Sequence, residues 1–165
     1  MKYLFLIVAV IFVSCSHSYY IVRHAEKAAA SANMMSSDVP LSDQGKARAE
    51  ALKDVLKNKK IHYVFATNFI RTKSTVQPTA HYFKLQTEIY GPSPDAAFIS
   101  KLKSLRKNTL IVGHSNTVDD LVNMLCGKTE VNGDLKESEY DNLFIVKKKG
   151  KHYIFTNEHY GASTQ

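Results

Sequence analysis

The sequence predicts an α/β fold, a three-layer α/β/α sandwich whose mostly parallel central sheet carries an antiparallel hairpin at its edge. Three observations lead there. Short β-branched or aromatic runs alternate with segments of helical spacing, the pattern of parallel strands joined by crossover helices that cover both sheet faces. Three polar clusters each follow directly on an apolar run, as groups delivered to one end of a parallel sheet would. Finally, residues 143–147 and 152–156 alternate around Lys148-Lys149-Gly150-Lys151, which reads as a hairpin.

The composition sets outer limits. The chain has 165 residues, 44% of them hydrophobic, with 22 Lys and Arg against 15 Asp and Glu, a formal net charge of +7. That is one domain's length, with enough apolar content to bury a core and too much to be disordered. Seven Gly and four Pro exclude collagenous and low-complexity classes, and two Cys can build neither a metal cage nor a disulfide scaffold. Lys2 precedes an apolar run over residues 3–13, followed by Ser14 and Cys15. Such a run is short for a membrane span and fits the apolar region of a secretory signal. The Val13-Ser14-Cys15 step resembles the bacterial lipoprotein processing box, in which the Cys is lipidated and becomes the new first residue. Residues 1–14 are therefore expected to be a signal peptide and residues 15–165 a single domain, anchored to a membrane through Cys15 outside the cytoplasm. A basic protein there suits an anionic lipid surface or an anionic small substrate.

Each element has its own signal. Tyr19-Tyr20-Ile21-Val22 is a strand that ends in Arg23-His24-Ala25-Glu26-Lys27. Residues 28–39 are small, polar and without period, a loop closed by Pro40. Ser42 caps a helix that starts with Asp43 and places Ala47, Leu52, Val55 and Leu56 at helical spacing. Residues 61–66 form a second strand. Thr67 and Asn68 then cap a helix carrying Phe69, Ile70, Val76, Tyr82 and Phe83, which Pro78 is expected to kink or split. An extended piece over residues 86–90 meets the turn Gly91-Pro92-Ser93-Pro94, after which a helix covers residues 95–105. Thr109-Leu110-Ile111-Val112 is the next strand, running into Gly113-His114-Ser115-Asn116. Residues 118–126 make a helix stopped by Gly127, with Cys126 expected as a buried residue beside Leu121, Val122 and Leu125.

The chemistry follows from position. Arg23-His24, Asn68 to Arg71 and His114-Ser115-Asn116 would meet at the carboxyl ends of parallel strands, where open α/β sheets bind ligands. Two Arg and two His in one pocket call for an anion. Guanidinium forks suit phosphate oxygens, and unprotonated imidazole is a nucleophile toward phosphorus. Flanking guanidinium groups would keep His24 neutral. His62, His81, His152 and His159 lack ligand spacing, so no metal site is expected, and no nucleic-acid motif or basic helix accompanies the positive charge.

In their joint order these segments resemble the histidine phosphatase superfamily, with its phosphoglycerate mutase-like fold. The resemblance rests on Arg23-His24-Ala25-Glu26, Leu41-Ser42-Asp43-Gln44-Gly45, Thr67-Asn68-Phe69-Ile70-Arg71-Thr72 and Val112-Gly113-His114-Ser115. It implies that His24 accepts the phosphoryl group, that Arg23, Arg71 and His114 hold the phosphate, and that no cofactor is needed. Ala25 stands where the family usually has Gly. For the general acid the resemblance points to Glu88, with Asp95 in reserve, because Ser115 and Asn116 follow His114 where one branch has an Asp. Glu26 is expected to pair with Lys27 or Arg71, and Ser115 and Asn116 to support the phosphate or His24. The implied activity is a phosphomonoesterase acting on a small or envelope-associated phosphorylated molecule. A protein phosphohistidine phosphatase and a non-catalytic phosphate-binding lipoprotein are the alternatives. Selectivity would rest on residues 28–39 and 91–95.

Overall fold

The computed structural model describes residues 16–29 and 38–164. Cys15, the apolar run before it and most of the 28–39 loop lie outside the described residues. The chain order is β1 (Ser16–Arg23), α1 (Asp43–Leu56), β2 (Tyr63–Thr67), α2 (Ile70–Phe83), β3 (Thr87–Tyr90), α3 (Ala96–Leu105), β4 (Thr109–Gly113), α4 (Val118–Cys126), β5 (Asn142–Lys149) and β6 (His152–His159). The strands form one sheet in the order β3-β2-β4-β1-β5-β6. Its first four strands are parallel, β5 runs antiparallel to β1, and β6 returns antiparallel to β5. The predicted sandwich with an antiparallel edge is the observed one.

Side-chain alternation along the strands sorts the core into two layers. Tyr20, Val22, Val64, Ala66, Leu110 and Val112 pack under Leu52 and Leu56 of α1 and Val76 and Ala80 of α2. Their neighbours Tyr19, Ile21, Phe65 and Ile111 face Ile99 and Leu102 of α3 and Leu121, Val122 and Leu125 of α4. Because both faces of the central strands are covered, these strands read as continuous apolar runs. Strand β1 is longer than its apolar run, since Ser16, His17 and Ser18 pair with Lys149, Lys148 and Lys147 of the hairpin.

Helix α1 starts as its sequence predicts, with the Ser42 hydroxyl accepting from the Gly45 amide at 3.1 Å. Its buried face differs: Ala47 is exposed and Arg48 is buried, for a reason found in the site below. Helix α2 departs twice from expectation. Neither Thr67 nor Asn68 caps it. Thr67 is the last residue of β2, and Asn68 accepts from Lys73 at 3.0 Å. The Ile70 amide donates instead to the Asp38 carboxylate, at 2.8 and 3.0 Å to its two oxygens, a cap supplied from the loop before α1. Pro78 does not split the helix, which runs from Ile70 to Phe83. Proline removes one hydrogen bond, to the Ser74 carbonyl, and burial of Val76, Thr79 and Ala80 on either side holds the helix together. Cys126 is half-buried at the end of α4 rather than fully buried.

Gly45 joins α1 to the segment that follows β1. The Ser42 amide donates to the Glu26 carbonyl at 2.9 Å, and a β-carbon on Gly45 would overlap that same carbonyl oxygen. Gly45→Ala should therefore lower stability by about 1–3 kcal/mol, as overpacking against backbone does. A fall in the denaturation midpoint at unchanged m-value is the check. An unchanged midpoint would mean that the two segments are not in contact.

Candidate active site

The carboxyl ends of β1, β2 and β4 and the turn after β3 surround a cavity of about 320 Å³. Arg23, His24, Arg71, His114, Ser115 and Asn116 all line it, so the structure brings together the three clusters the sequence singled out. Pro92 and Ser93 of the 91–95 turn join them, as do Lys27, Phe69 and Glu137.

His24 is buried, and its amide donates to the Gly113 carbonyl at 2.9 Å, across to the end of β4. Its Nδ1 lies 2.8 Å from the Ala25 carbonyl oxygen. A carbonyl only accepts, so Nδ1 carries the proton, and in the neutral ring Nε2 is left with the lone pair. Burial, reinforced by the charges of Arg23, Arg71 and His114 and opposed by the Ala25 hydrogen bond, lowers the His24 pKa to about 3. Ala25 fits without the family's usual Gly because its φ is not positive. Its amide donates to Thr75 Oγ1 at 2.9 Å.

His114 stands beside His24, ring centroids 5.5 Å apart. A chain of hydroxyls fixes its tautomer as well. The Thr72 hydroxyl donates to the Thr67 carbonyl at 2.8 Å, the Thr67 hydroxyl donates to Thr72 Oγ1 at 3.0 Å, and His114 Nε2 lies 2.9 Å from Thr67 Oγ1. With its own proton committed to Thr72, Thr67 accepts, so His114 Nε2 donates. His114 Nδ1 then faces Arg71 Nη2 at 3.4 Å. Burial first, then Arg71 and Arg23, lowers the His114 pKa to about 4.

Arg23 is 2% exposed. Its Nη1 donates to the carbonyls of Lys136, Glu137 and Glu139, and the guanidinium lies 4.1 Å from the centroid of the Tyr140 ring. Its buried Nε–H has no hydrogen-bond partner among the described residues. Arg71 lies over the Phe69 ring at 4.4 Å, with Nη1 3.6 Å from Asp38.

The carboxylates depart most from expectation. Glu88 does not line the cavity; its position opposite Phe65 in the β2–β3 pairing puts it within reach of Lys101 on α3, which it meets at 2.7 Å. Asp95 caps α3, accepting from the Phe98 amide at 2.7 Å. Glu26 pairs with neither Lys27 nor Arg71. It receives Arg48 through Nε at 2.8 and 2.9 Å and through Nη2 at 2.7 Å, which is why α1 buries an arginine. Among the described residues the carboxylate that lines the cavity is Glu137, 2.9 Å from Arg23 Nη2 and 3.2 Å from Lys27 Nζ. Burial would raise its pKa, but Lys27 and Arg23 outweigh this and lower it. Residues 128–141 carry no apolar period, and the pairing spans 114 positions, so only the excess of charge in that segment hinted at it.

Glu137 holds Arg23 Nη2 where an incoming anion would take it. Glu137→Gln should tighten binding of inorganic phosphate roughly twofold to fivefold, the scale of an exposed ion pair, measured by titration calorimetry. Weaker binding would show that Glu137 aligns the arginine instead of competing for it.

Residues 19–90 match the family model described as the histidine phosphatase superfamily (branch 1), a segment that contains Arg23-His24, the 41–45 motif and Arg71. Over that segment, less than half of the chain, the sequence is similar to this superfamily, and the chain as a whole has the phosphoglycerate mutase-like fold. Among solved structures it is similar to the protein histidine phosphatase SixA complexed with tungstate, at 20% identity and TM-score 0.68, covering 86% of this chain and 96% of that one. It is also similar to a phosphoglycerate mutase from Bacillus anthracis, at 15% identity and TM-score 0.56 over 88% of this chain and 93% of that chain. A mycobacterial glucosyl-3-phosphoglycerate phosphatase matches at 11% identity and TM-score 0.57, with 90% and 100% covered. At these identities the likeness to each is one of fold. No curated protein matches the sequence.

Proposed function

We propose that this protein is a phosphomonoesterase of the cell envelope that works without a metal ion, through a phosphohistidine at His24, on a small or envelope-associated phosphorylated substrate. The observation that carries this is the fixed tautomer of His24: Nδ1–H is held by Ala25, which makes Nε2 the nucleophile in a pocket where Arg23, Arg71 and His114 converge. Phosphate oxygens are held by Arg23 Nε–H and Arg71, and by His114 once the bound anion draws a proton onto its Nδ1, Nε2–H staying on Thr67; their charge and N–H groups stabilise the transition state. Nε2 attacks phosphorus, a P–N bond forms as the P–O bond to the leaving group breaks, and water then cleaves the P–N bond to release phosphate and neutral His24. The extracytoplasmic location and the anchor at Cys15 belong to the same proposal and rest on the apolar run of residues 3–13 and on Cys15.

A second reading, a protein phosphohistidine phosphatase, is favoured by one observation. Glu88 and Asp95 are both engaged outside the cavity, and an imidazole leaving group has less need of a general acid than an alkoxide.

The test is to incubate the detergent-purified chain with p-nitrophenyl phosphate, a phosphoserine peptide and a phosphohistidine peptide, with EDTA throughout, and to trap the enzyme during turnover. Turnover with an acid-labile phosphoryl group on His24 supports the phosphohistidine route. A strong preference for the phosphohistidine peptide selects the second reading. Phosphate binding without turnover of any of the three defeats both.

A further inference from the structure

The sheet has two chemically different ends. The pocket lies at the carboxyl ends of β1, β2 and β4. At the opposite end, where these parallel strands begin, Lys59 and Lys60 precede β2, and Arg106 and Lys107 precede β4. The β5–β6 turn comes to the same end, because Lys149 pairs with Ser16, the first residue of β1. It adds Lys147, Lys149 and Lys151, and all seven side chains are exposed. None of the seven forms an ion pair among the described residues, whereas Lys27, Lys46, Lys53, Lys101 and Lys128 do.

Asn108 laces this end together. Its side chain accepts from the Ser18 amide at 2.8 Å and donates to the Lys59 carbonyl, while its own carbonyl accepts from the His62 amide at 2.9 Å. Lys148 and Arg106 are near enough to buried His17 to help burial lower its pKa. Cations at helix ends have a local explanation, since Lys59 and Arg106 follow α1 and α3 and offset their dipoles. The hairpin lysines follow no helix. Ser16, the first described residue, lies at this end, and in the sequence the apolar run of residues 3–13 stops shortly before it.

We propose that this basic end is a docking surface for an anionic lipid bilayer, with the pocket at the far end of the sheet directed away from the membrane. The inference rests on the proposed membrane attachment through the N-terminal segment, which brings the end that carries Ser16 to the bilayer. Strand β1, eight residues long, sets the pocket roughly 26 Å from that surface. Lysines near an anionic headgroup layer contribute roughly a fivefold gain in affinity each, and this attraction is screened by salt. The pocket is thereby offered to substrates in the aqueous phase, not to phosphate groups of the bilayer on which the protein sits.

The test reconstitutes the intact chain with vesicles of phosphatidylcholine alone or with added phosphatidylglycerol, and reads flotation and tryptic cutting at Lys59-Lys60 and Arg106-Lys107. The expected result is flotation on both vesicles, with cutting at least roughly fivefold slower on the anionic ones. Protection should vanish in high salt and in K147Q/K149Q/K151Q, but persist in K46Q/K73Q, whose substitutions lie nearer the pocket end. Flotation on both vesicles with equal cutting overturns the docking surface and leaves the attachment standing. Salt-sensitive flotation on anionic vesicles alone removes the attachment and supports the surface. Protection by an oligonucleotide at a salt concentration where anionic vesicles give none would replace the lipid with nucleic acid and overturn the proposal.

Discussion

His24→Ala should reduce kcat on p-nitrophenyl phosphate by on the order of 10⁴, the scale of losing a covalent nucleophile, while inorganic phosphate still binds. The two effects separate because the groups proposed to hold the anion stay in place. Arg23 is fixed by three backbone carbonyls and Tyr140, and His114 by Thr67, so neither relies on the His24 ring. Calorimetric titration with phosphate and a turnover assay on the same preparation check this. Retained turnover would remove His24 from the chemistry, and loss of phosphate binding would mean that the substitution had collapsed the pocket.

The same residue has a pH signature. His24 titrates near 3 and His114 near 4 in the folded protein, against an ordinary value of 6.5, with burial the first cause in both. Below pH 6.5 the unfolded chain takes up protons that the folded one refuses, so stability is complete above that pH and declines as pH falls toward 4. At neutral pH both rings are therefore uncharged before substrate arrives, and His24 Nε2 is available as a nucleophile. Ring-carbon chemical shifts of ligand-free protein, followed between about pH 3 and 8, should show both histidines titrating in the acid limb. A midpoint near 6.5 for His24 would contradict the burial and charge assigned to it.

Much of this was legible in the sequence because it is periodic or positional. Parallel strands buried on both faces read as apolar runs, and a polar residue placed directly after such a run is carried to the sheet's carboxyl end wherever its neighbours fall. Arg23, His24, Arg71 and His114 were found that way. What escaped depends on contacts between distant segments. Glu88 reads as a free carboxylate until the β2–β3 pairing puts it within reach of Lys101 on α3. Asp38 reads as loop, yet it caps α2. Glu137 sits in a segment with no period and meets Arg23 only because Arg23 also binds the backbone of residues 136–139. Arg48 was hidden by its own charge: a hydrophobic pattern assigns the buried face of α1 to Ala47, and only the bidentate partner two residues after His24 makes an arginine acceptable there.

That pair supplies the largest stability effect expected. The side chains of Arg48 and Glu26 are 1% and 11% exposed. Beyond Glu26, Arg48 donates to the carbonyls of Tyr160 and Ala162, both at 2.9 Å, so one guanidinium joins α1, the segment after β1 and the C-terminal residues. Glu26→Ala leaves this cation buried without a counter-charge and should cost about 3–5 kcal/mol. Arg48→Met should cost a similar amount, since it strands the Glu26 carboxylate and two carbonyls. In the double variant Glu26→Ala/Arg48→Met no charge remains buried, and the loss should be well below the sum of the two single losses. Arg48→Lys should rescue poorly, because an ammonium cannot reproduce the two-nitrogen fork. Chemical denaturation of the four proteins decides the matter. If the single losses add in the double variant, Arg48 and Glu26 act independently, and the segment that carries His24 must owe its position to Gly45 and Thr75 instead.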